Sequence, residues 1–172
     1  MTAAVELAPL AEHDKDVLAN LLQLYRYDFA GVRNYAITPH GTYTYRYLDH
    51  YFVEPEREAC LAWASGELVG FTMSRQVEAG AREVAEFFVL RHRRRDGVGS
   101  AMAEALFARH PGQWVVAFDD ANHEGASFWP ALVERVASGT VQRSPKAPGS
   151  TYPGQELRFT VAAGAGAEGA ER

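Results

Sequence analysis

Apolar residues recur along the first third of the chain with spacings that predict a strand, a helix and a loop. Residues 4–8 form a short apolar run that predicts a strand. From Asp14 to Phe29 the apolar positions are three or four residues apart, as on one face of an amphipathic helix, and Asp14 suits the N-cap. Residues 30–58 are rich in tyrosine, glycine and proline and predict a loop with a short helix, a common place for specificity elements.

The middle of the chain predicts three strands and then a helix. The stretch "ACLAWASGELVGFTMSRQVEAGAREVAEFFVL" places turn residues at Ser65-Gly66 and Ala79-Gly80 between three runs of strand-forming residues. That arrangement is typical of an antiparallel meander. A helical pattern follows Gly99, and we expect this helix to end near Pro111-Gly112.

The last third of the chain completes a mixed α/β pattern. "QWVVAF" predicts a buried strand, residues 123–137 a helix, and residues 138–144 and 155–161 two final strands. The resulting order predicts helices layered on a central mixed sheet, with an antiparallel meander followed by a right-handed βαβ crossover. We expect one domain over residues 1–161 and a disordered tail over 162–172.

Composition narrows the class of protein. With 172 residues, of which 47% are hydrophobic, the chain can bury a substantial core. A formal net charge of −5 argues against a general nucleic-acid binder, and we expect neither nucleic-acid nor membrane partners. The sequence contains no apolar run of membrane-spanning length and no signal-peptide pattern at its start. Cys60 is the single cysteine, which excludes an internal disulfide and favours a cytoplasmic location.

A basic run followed by two glycines, "LRHRRRDGVGSAMAEALF", occupies residues 90–107. An Arg/His run alone is typical of a solvated turn. Here it lies between a predicted strand and the start of a helix, where unpaired N–H groups carry partial positive charge. Gly97 and Gly99 let backbone amides approach a ligand closely, and Arg94 and Arg95 add full charges. The combination favours a phosphate or pyrophosphate ligand.

Three other sites that use glycine-rich turns are excluded by residue type. A dinucleotide-binding fingerprint needs a third glycine where Met102 stands, and a P-loop needs a lysine directly after a glycine. The nucleophile elbow of hydrolases is also missing, so Ser100 is not a hydrolase nucleophile.

The remaining pattern, Arg94-x-x-Gly97-x-Gly99, resembles the acyl-CoA pyrophosphate loop of the GCN5-related N-acetyltransferase (GNAT) superfamily. The likeness extends over residues 5–161 in the order of predicted elements and is sharpest over 83–107. It implies a bacterial-type single-domain member with a GNAT-like fold, and acetyl-CoA as co-substrate without a metal. It also implies transfer of the acetyl group to a primary amine, on a small molecule or a protein. A homodimer is one assembly that the resemblance allows.

The resemblance also implies cofactor-binding residues. In the family, the strand before the loop presents backbone groups to the pantetheine arm and the acetyl carbonyl. The second landmark is an asparagine, then a small residue, then usually a tyrosine; "NHEGASFW" gives a tryptophan in the last place and Arg91 replaces a common proline. Tryptophan cannot transfer a proton as a phenol can. The implied cofactor-binding residues are Phe87, Phe88, Val89, Arg94, Arg95, Asp96, Gly97, Val98, Gly99, Ser100, Asn122 and Trp129.

Amide formation from a thioester needs a neutral amine, a donor for the oxyanion and a path for the proton. Direct attack in a ternary complex needs no covalent enzyme intermediate, and a carboxylate can take the proton from the ammonium. Glu86 and Glu83 are the candidates, with Glu86 favoured because it lies beside the expected acetyl site. Strand alternation places the two on opposite faces unless a bulge intervenes. For the leaving thiolate, Tyr25, Tyr27 and water are open alternatives.

Each of these residues also has a purely structural interpretation. Asn122 is equally suited to cap a helix, Trp129 to pack in the core, and Cys60 to be a small buried residue. Asp119-Asp120 is typical of a turn, although acidic strand ends also line ligand clefts, and their charge would favour a cationic amine. The histidines show no metal-binding spacing. The alternative function is a non-catalytic acyl-CoA-binding sensor or regulatory module, which Trp129 favours.

Overall fold

A computed structural model describes residues 4–164, with the side chain of Ala79 excepted. Residues 165–172 of the predicted disordered tail lie outside the described residues, and the single domain over 1–161 stays a prediction. The strands are β1 Val5–Pro9, β2 Arg57–Ala64, β3 Glu67–Gln76, β4 Arg82–Val89, β5 Gly112–Asp119, β6 Gln142–Pro145 and β7 Gly154–Val161; the helices are α1 Lys15–Arg33, α2 His50–Val53, α3 Val98–Arg109 and α4 His123–Val136.

The strands form one mixed sheet in the order β1-β2-β3-β4-β5-β7-β6. All neighbours are antiparallel except β4 and β5, which run parallel and are connected through α3. This is the predicted meander followed by a βαβ unit, so the mixed α/β fold class is confirmed.

Two elements differ in their limits from the sequence prediction. Helix α1 continues past Phe29 to Arg33 and ends at Asn34, which has φ 53° and donates its amide to the Ala30 carbonyl at 2.9 Å. Gly31 lies inside this helix, because one interior glycine costs only about 1 kcal/mol and does not end a packed helix. The strand expected over 138–144 begins only at Gln142, since Gly139 turns the chain at φ 86°.

The sheet has a hydrophobic core on each face. On one face α3 and α4 cover a cluster that includes Met102, Leu106 and Trp114. On the other face α1 and α2 cover a second cluster that includes Leu22 and Phe71. Because both faces of β3 and β4 are covered, these central strands are held rigidly between the two helical layers.

The pairing between β4 and β5 is short. It joins only Arg82–Val84 to Trp114–Val116, after which the two strands diverge. Residues 86–89 keep β3 as a partner on one side, and no strand within residues 4–164 pairs with residues 85–89 on the other. The main-chain groups of this half of β4 that point towards β5 therefore face open space, and the divergence opens the sheet at its centre.

Candidate active site

A cavity of about 1640 Å³ occupies the gap between the diverging ends of β4 and β5. At one end it reaches residues 94–100 and the start of α4, which we call the glycine end. At the other end lie the polar side chains that we call the tyrosine end: Arg26, Tyr35, Tyr45, Lys146 and Tyr152. Glu86 lies on β4 between the two ends.

The glycine end is built from main-chain groups at the start of α3. Arg95 and Gly97 both have positive φ, 69° and 77°, and this turns the loop sharply into the helix. Ala101 is the first residue whose amide donates back into the helix, to the Gly97 carbonyl at 3.0 Å. The amides of residues 98–100 therefore have no acceptor within α3 and suit an anion. Among the predicted residues here, the Asp96 side chain is exposed and that of Val98 is buried in the core, so neither lines the cavity.

Gly99 allows a close approach between elements. A Cβ atom at this position would lie 3.5 Å from the ring of Phe128 and 3.7 Å from Val89 Cγ2, both ordinary contact distances. A methyl group would fit there, whereas a branched side chain would push its γ carbons into Phe128 or into the cavity. Position 99 therefore has room for a methyl group but not for a branched side chain.

The two arginines of the motif are not equivalent. Arg94 donates from Nε to the Val89 carbonyl at 2.9 Å, forms an ion pair with Asp28, and lies 3.6 Å from Glu124. These contacts tie the loop to the end of β4. The Arg95 side chain is 91% exposed and approaches only Glu124, at 3.9 Å. Much of the positive charge predicted for this loop is therefore met by two carboxylates of the chain itself.

Asn122 is a helix cap. Its Oδ1 accepts a hydrogen bond from the Gly125 amide at 3.1 Å, which satisfies one free donor of α4. A Cβ atom on Gly125 would lie 2.7 Å from Asn122 Nδ2, so the small residue in this motif is needed for the cap to form. Asn122 also lines the cavity, which leaves its amide group next to any ligand bound there.

The aromatic residues around the end of β4 pack against their neighbours. Phe87 contacts Phe128 and Trp129, with ring centroids 5.9 and 5.0 Å apart. Trp129 is 7% exposed and belongs to the core beneath α4. Phe88 packs against Tyr25 on the opposite face of the sheet. The side chains of β4 thus fix the strand, and its free main-chain edge is what faces the cavity.

A β-bulge at Ala85 changes the orientation predicted for the two glutamates. Met73 pairs with Glu86 but Ser74 pairs with Val84, so one extra residue sits in β4. The extra residue cancels the alternation, and both carboxylates lie on the α1 face of the sheet. Glu83 forms an ion pair with Arg75 at 2.7 Å and does not line the cavity, whereas Glu86 does.

Glu86 accepts hydrogen bonds from two phenols. The hydroxyl of Tyr25, on α1, donates to Oε2, and that of Tyr45 donates to Oε1 at 3.1 Å. Burial raises the pKa of Glu86 above its usual value, and the two phenols and the charge of Arg26 offset part of that rise. Burial also raises the pKa values of Tyr25 and Tyr45. Glu86 is therefore the group here that can accept a proton, while both phenols keep theirs.

Asp119 at the end of β5 is already paired. Arg33 donates from Nε to Oδ2 at 2.6 Å and makes a second hydrogen bond to Oδ1. The Arg33 guanidinium lowers the pKa of Asp119 below its usual value. The interpretation of residues 119–120 as an attraction for a cationic amine is wrong for Asp119, because its charge is neutralised by a residue 86 positions earlier.

Sequence reasoning missed several residues of the tyrosine end. Tyr152 donates to the hydroxyl of Tyr35 at 2.5 Å, across 117 positions of the chain. No sequence motif marks either residue. Tyr35 lies in the tyrosine-rich segment 30–58, whereas Tyr152 lies in the loop before β7. Arg26 and Lys146 carry no recognisable motif and could not have been found. Tyr27, one of the alternatives for protonating the thiolate, is 66% exposed and does not line the cavity.

The single cysteine is not a candidate nucleophile. Burial raises the pKa of Cys60 to about 12, so its thiol stays protonated and unreactive.

Over residues 4–164, no three His, Cys, Asp or Glu side chains are grouped so that they could hold a metal ion. No helix in that range combines the length and apolar character needed to cross a membrane.

Comparison with known proteins connects the fold and the cavity to one family. The model of the acetyltransferase (GNAT) family matches residues 18–131. No curated protein sequence matches the chain significantly.

Many solved structures share the fold at low sequence identity. An acetyltransferase from Thermus thermophilus superposes with a TM-score of 0.67 at 18% identity, covering 92% of this chain and 98% of its own. The aminoglycoside acetyltransferase AAC(6')-Ib in complex with coenzyme A gives 0.66 at 14% identity, covering 91% and 95%. The GNAT domain of S. lividans PAT gives 0.62 at 17% identity, covering 91% and 90%. At these identities the likeness establishes the fold.

Proposed function

The chain belongs to the acetyltransferase (GNAT) family, and from this we propose that it transfers an acetyl group from acetyl-CoA to a primary amine within the cavity. The observation that carries the proposal is the position of Glu86. This partly buried carboxylate faces the same cavity as the unpaired amides of α3 and the free edge of β4. Phosphate binding, an oxyanion donor and a base would then all be available to one ternary complex.

Binding of acetyl-CoA uses the glycine end. The amides of residues 98–100 and the partial positive charge of the α3 N-terminus would hold the pyrophosphate. The free main-chain edge of residues 85–89 would hydrogen-bond to the pantetheine arm and lead the thioester towards Glu86. A neighbour with this fold, AAC(6')-Ib, has been crystallised with coenzyme A, which supports the assignment.

The reaction begins with proton removal from the amine. Glu86, directly or through one water, takes a proton from the ammonium, and the neutral nitrogen then attacks the thioester carbonyl. A main-chain N–H of residues 87–89 donates to the developing oxyanion. As the tetrahedral intermediate collapses, the new C–N bond is retained, the C–S bond breaks and the nitrogen gives its second proton to water.

The leaving thiolate needs no strong acid. Thiols are far more acidic than alcohols or amines, with the cysteine thiol at a pKa of about 8.5 as a reference, so the thiolate leaves readily and takes its proton from water. Trp129 cannot supply a proton, and the Tyr25 hydroxyl is engaged with Glu86. The net change is amide and free CoA formed, with one proton released.

Two measurements test the proposal. Isothermal titration of the folded protein with CoA should show saturable binding, and release of free thiol from acetyl-CoA should depend on an added amine. Absence of CoA binding would contradict the proposal. Binding with no thiol release across a broad amine panel would favour the non-catalytic acyl-CoA-binding module instead.

A further inference from the structure

Positive charge accumulates at the tyrosine end although the whole chain has a net charge of −5. Arg33 and Arg75 at this side of the cavity are each paired with a carboxylate. Within residues 4–164, Arg26 and Lys146 make no ion pair. The unpaired charge thus exceeds the single negative charge that Glu86 can supply there.

Arg26 is held in a fixed orientation. Its guanidinium carbon lies 4.1 Å from the centroid of the Tyr35 ring, and Tyr35 is itself fixed by its hydrogen bond with Tyr152. Nε of Arg26 is buried without a hydrogen-bond partner among the described residues, whereas its terminal nitrogens are not buried in this way. A guanidinium that is stacked, without an ion pair among the described residues and next to the cavity is preorganised to bind an oxyanion through two parallel hydrogen bonds.

Lys146 lies beside the other tyrosine of the same pair. Its Nζ lies 6.0 Å from the centroid of the Tyr152 ring, and its main-chain amide donates to the Gly154 carbonyl at 2.9 Å. Its positive charge also helps to lower the pKa of Asp119, after the larger contribution of Arg33. Each ring of the hydrogen-bonded tyrosine pair therefore has a cation near it.

We propose that the acceptor is a primary amine that also carries an oxyanion, a carboxylate or a phosphonate, with Arg26 and Lys146 binding the oxyanion while the ammonium lies at Glu86. The inference rests on the proposed acetyl transfer and names its acceptor class. A zwitterion matches this end because it supplies an anion to the unpaired cations and a cation to the one free carboxylate. An amine with several positive charges would be repelled.

Matched sets of amines test this directly. Each common α-amino acid is compared with its amide and with the amine left after decarboxylation, and 2-aminoethylphosphonate is compared with ethanolamine. We expect kcat/KM for the best anionic acceptors to exceed that of their uncharged partners by at least ~10-fold. The phosphonate pair distinguishes the two sources of the oxyanion.

Variants of Arg26 and Lys146 test whether these two side chains cause the preference for anionic acceptors. Arg26→Gln should reduce the ratio of kcat/KM between an anionic acceptor and its amide by ~10-fold or more, mainly through KM, with Arg26→Lys intermediate. Lys146→Gln, on a loop, should reduce the same ratio by a smaller factor and keeps the test valid if Arg26→Gln does not fold. Arg135→Gln, which removes a surface pair with Glu104, is the matched control.

The outcomes distinguish a wrong acceptor class from a wrong proposed function. Loss of CoA binding in the same preparations would contradict the proposed function. If CoA binds but amides, decarboxylated amines or polyamines are preferred, or if no anionic amine is acetylated, only the acceptor class is overturned. An unchanged selectivity ratio in both variants would overturn it as well.

Discussion

The two ends of the cavity are built in different ways. The glycine end consists of main-chain groups from one continuous segment, residues 94–100. The tyrosine end consists of side chains that come from α1, from the segment after it, and from the loop between β6 and β7. A ligand shared across many proteins can be held by backbone alone, whereas a particular acceptor must be recognised by side chains.

The ends also differ in how their charge is balanced. At the glycine end Asp28 and Glu124 already meet the arginines, so the free amides and the helix dipole are left to bind an anion. At the tyrosine end Arg26 and Lys146 contact tyrosine rings and have no ion pair with any residue between 4 and 164. Binding at the second end should therefore depend more strongly on ionic strength than binding at the first.

Replacing Glu86, the proposed base, should have the largest effect. Glu86→Gln keeps the shape of the side chain and can still accept a hydrogen bond from one of the two tyrosines, while its NH2 group can only donate to the other; it abolishes the basicity of the side chain. Turnover should fall by about 10²–10⁴-fold with little change in CoA affinity. Steady-state rates and a CoA titration measure the two quantities.

Glu83→Gln is the matched control, because Glu83 is paired with Arg75 outside the cavity. Since burial raises the pKa of Glu86, the rate of the unaltered enzyme should increase with pH through that raised value and then level off. The Glu86→Gln rate should instead continue to rise towards the pKa of the acceptor amine. A normal rate for Glu86→Gln at neutral pH would show that another group takes the proton.

Distorting the glycine end should have the next largest effect. Gly97→Val forces a branched residue into φ 77° and places its methyl groups beside the free amides of α3. CoA binding should weaken by roughly 10–100-fold. Gly66→Val imposes the same strain, also at φ 77°, in the turn between β2 and β3. Equal CoA affinity of the two variants would contradict the phosphate-binding role of the loop.

Removing the ion pair between Arg33 and Asp119, next to the tyrosine end, should reduce the stability of the fold. Asp119→Asn removes the ion pair with Arg33 and should lower the melting temperature by about 2–6 °C at neutral pH. The pKa of Asp119 is lowered by folding, so the pair stabilises the fold fully above the usual aspartate range. That stabilisation is lost as the pH falls through the lowered value.

Thermal unfolding of Asp119→Asn at several pH values checks this expectation. The difference in melting temperature from the unaltered protein should disappear in acid. Glu104→Gln, which removes an exposed pair with Arg135, should change the melting temperature little at any pH. A similar shift in both variants would mean that the Arg33–Asp119 pair is no more important than a surface contact.

The smallest effect should come from Arg94. Arg94→Ala removes the tie between the loop and the Val89 carbonyl, and CoA affinity should fall by about 3–10-fold. Arg93→Ala should change it less, since Arg93 is paired with Glu67 away from the cavity. Titrations at low and high salt distinguish positioning from charge. Equal losses that salt removes would indicate a diffuse electrostatic contribution.

Sequence reasoning succeeded where the signal was local. Apolar periodicity located the helices and strands, and the glycines beside a predicted helix start identified the loop that closes one end of the cavity. At α1 the prediction ended the helix four residues early, before Gly31. At Asp119 it missed the ion pair, because the partner Arg33 is far away along the chain. The favoured base, Glu86, faces the cavity, but the two phenols that hold it could not be assigned.

The sequence by itself determined the order of elements, the glycine loop and the free amides of α3, because each depends on neighbouring residues. Only the tertiary structure decided the bulge that turns Glu83 and Glu86 to one face and the divergence of β4 from β5. It also placed Arg26 on Tyr35 and Tyr152 against Tyr35. Those features depend on sheet register and on contacts between distant segments, whose free energies are set by the packing of the whole sheet rather than by any local pattern.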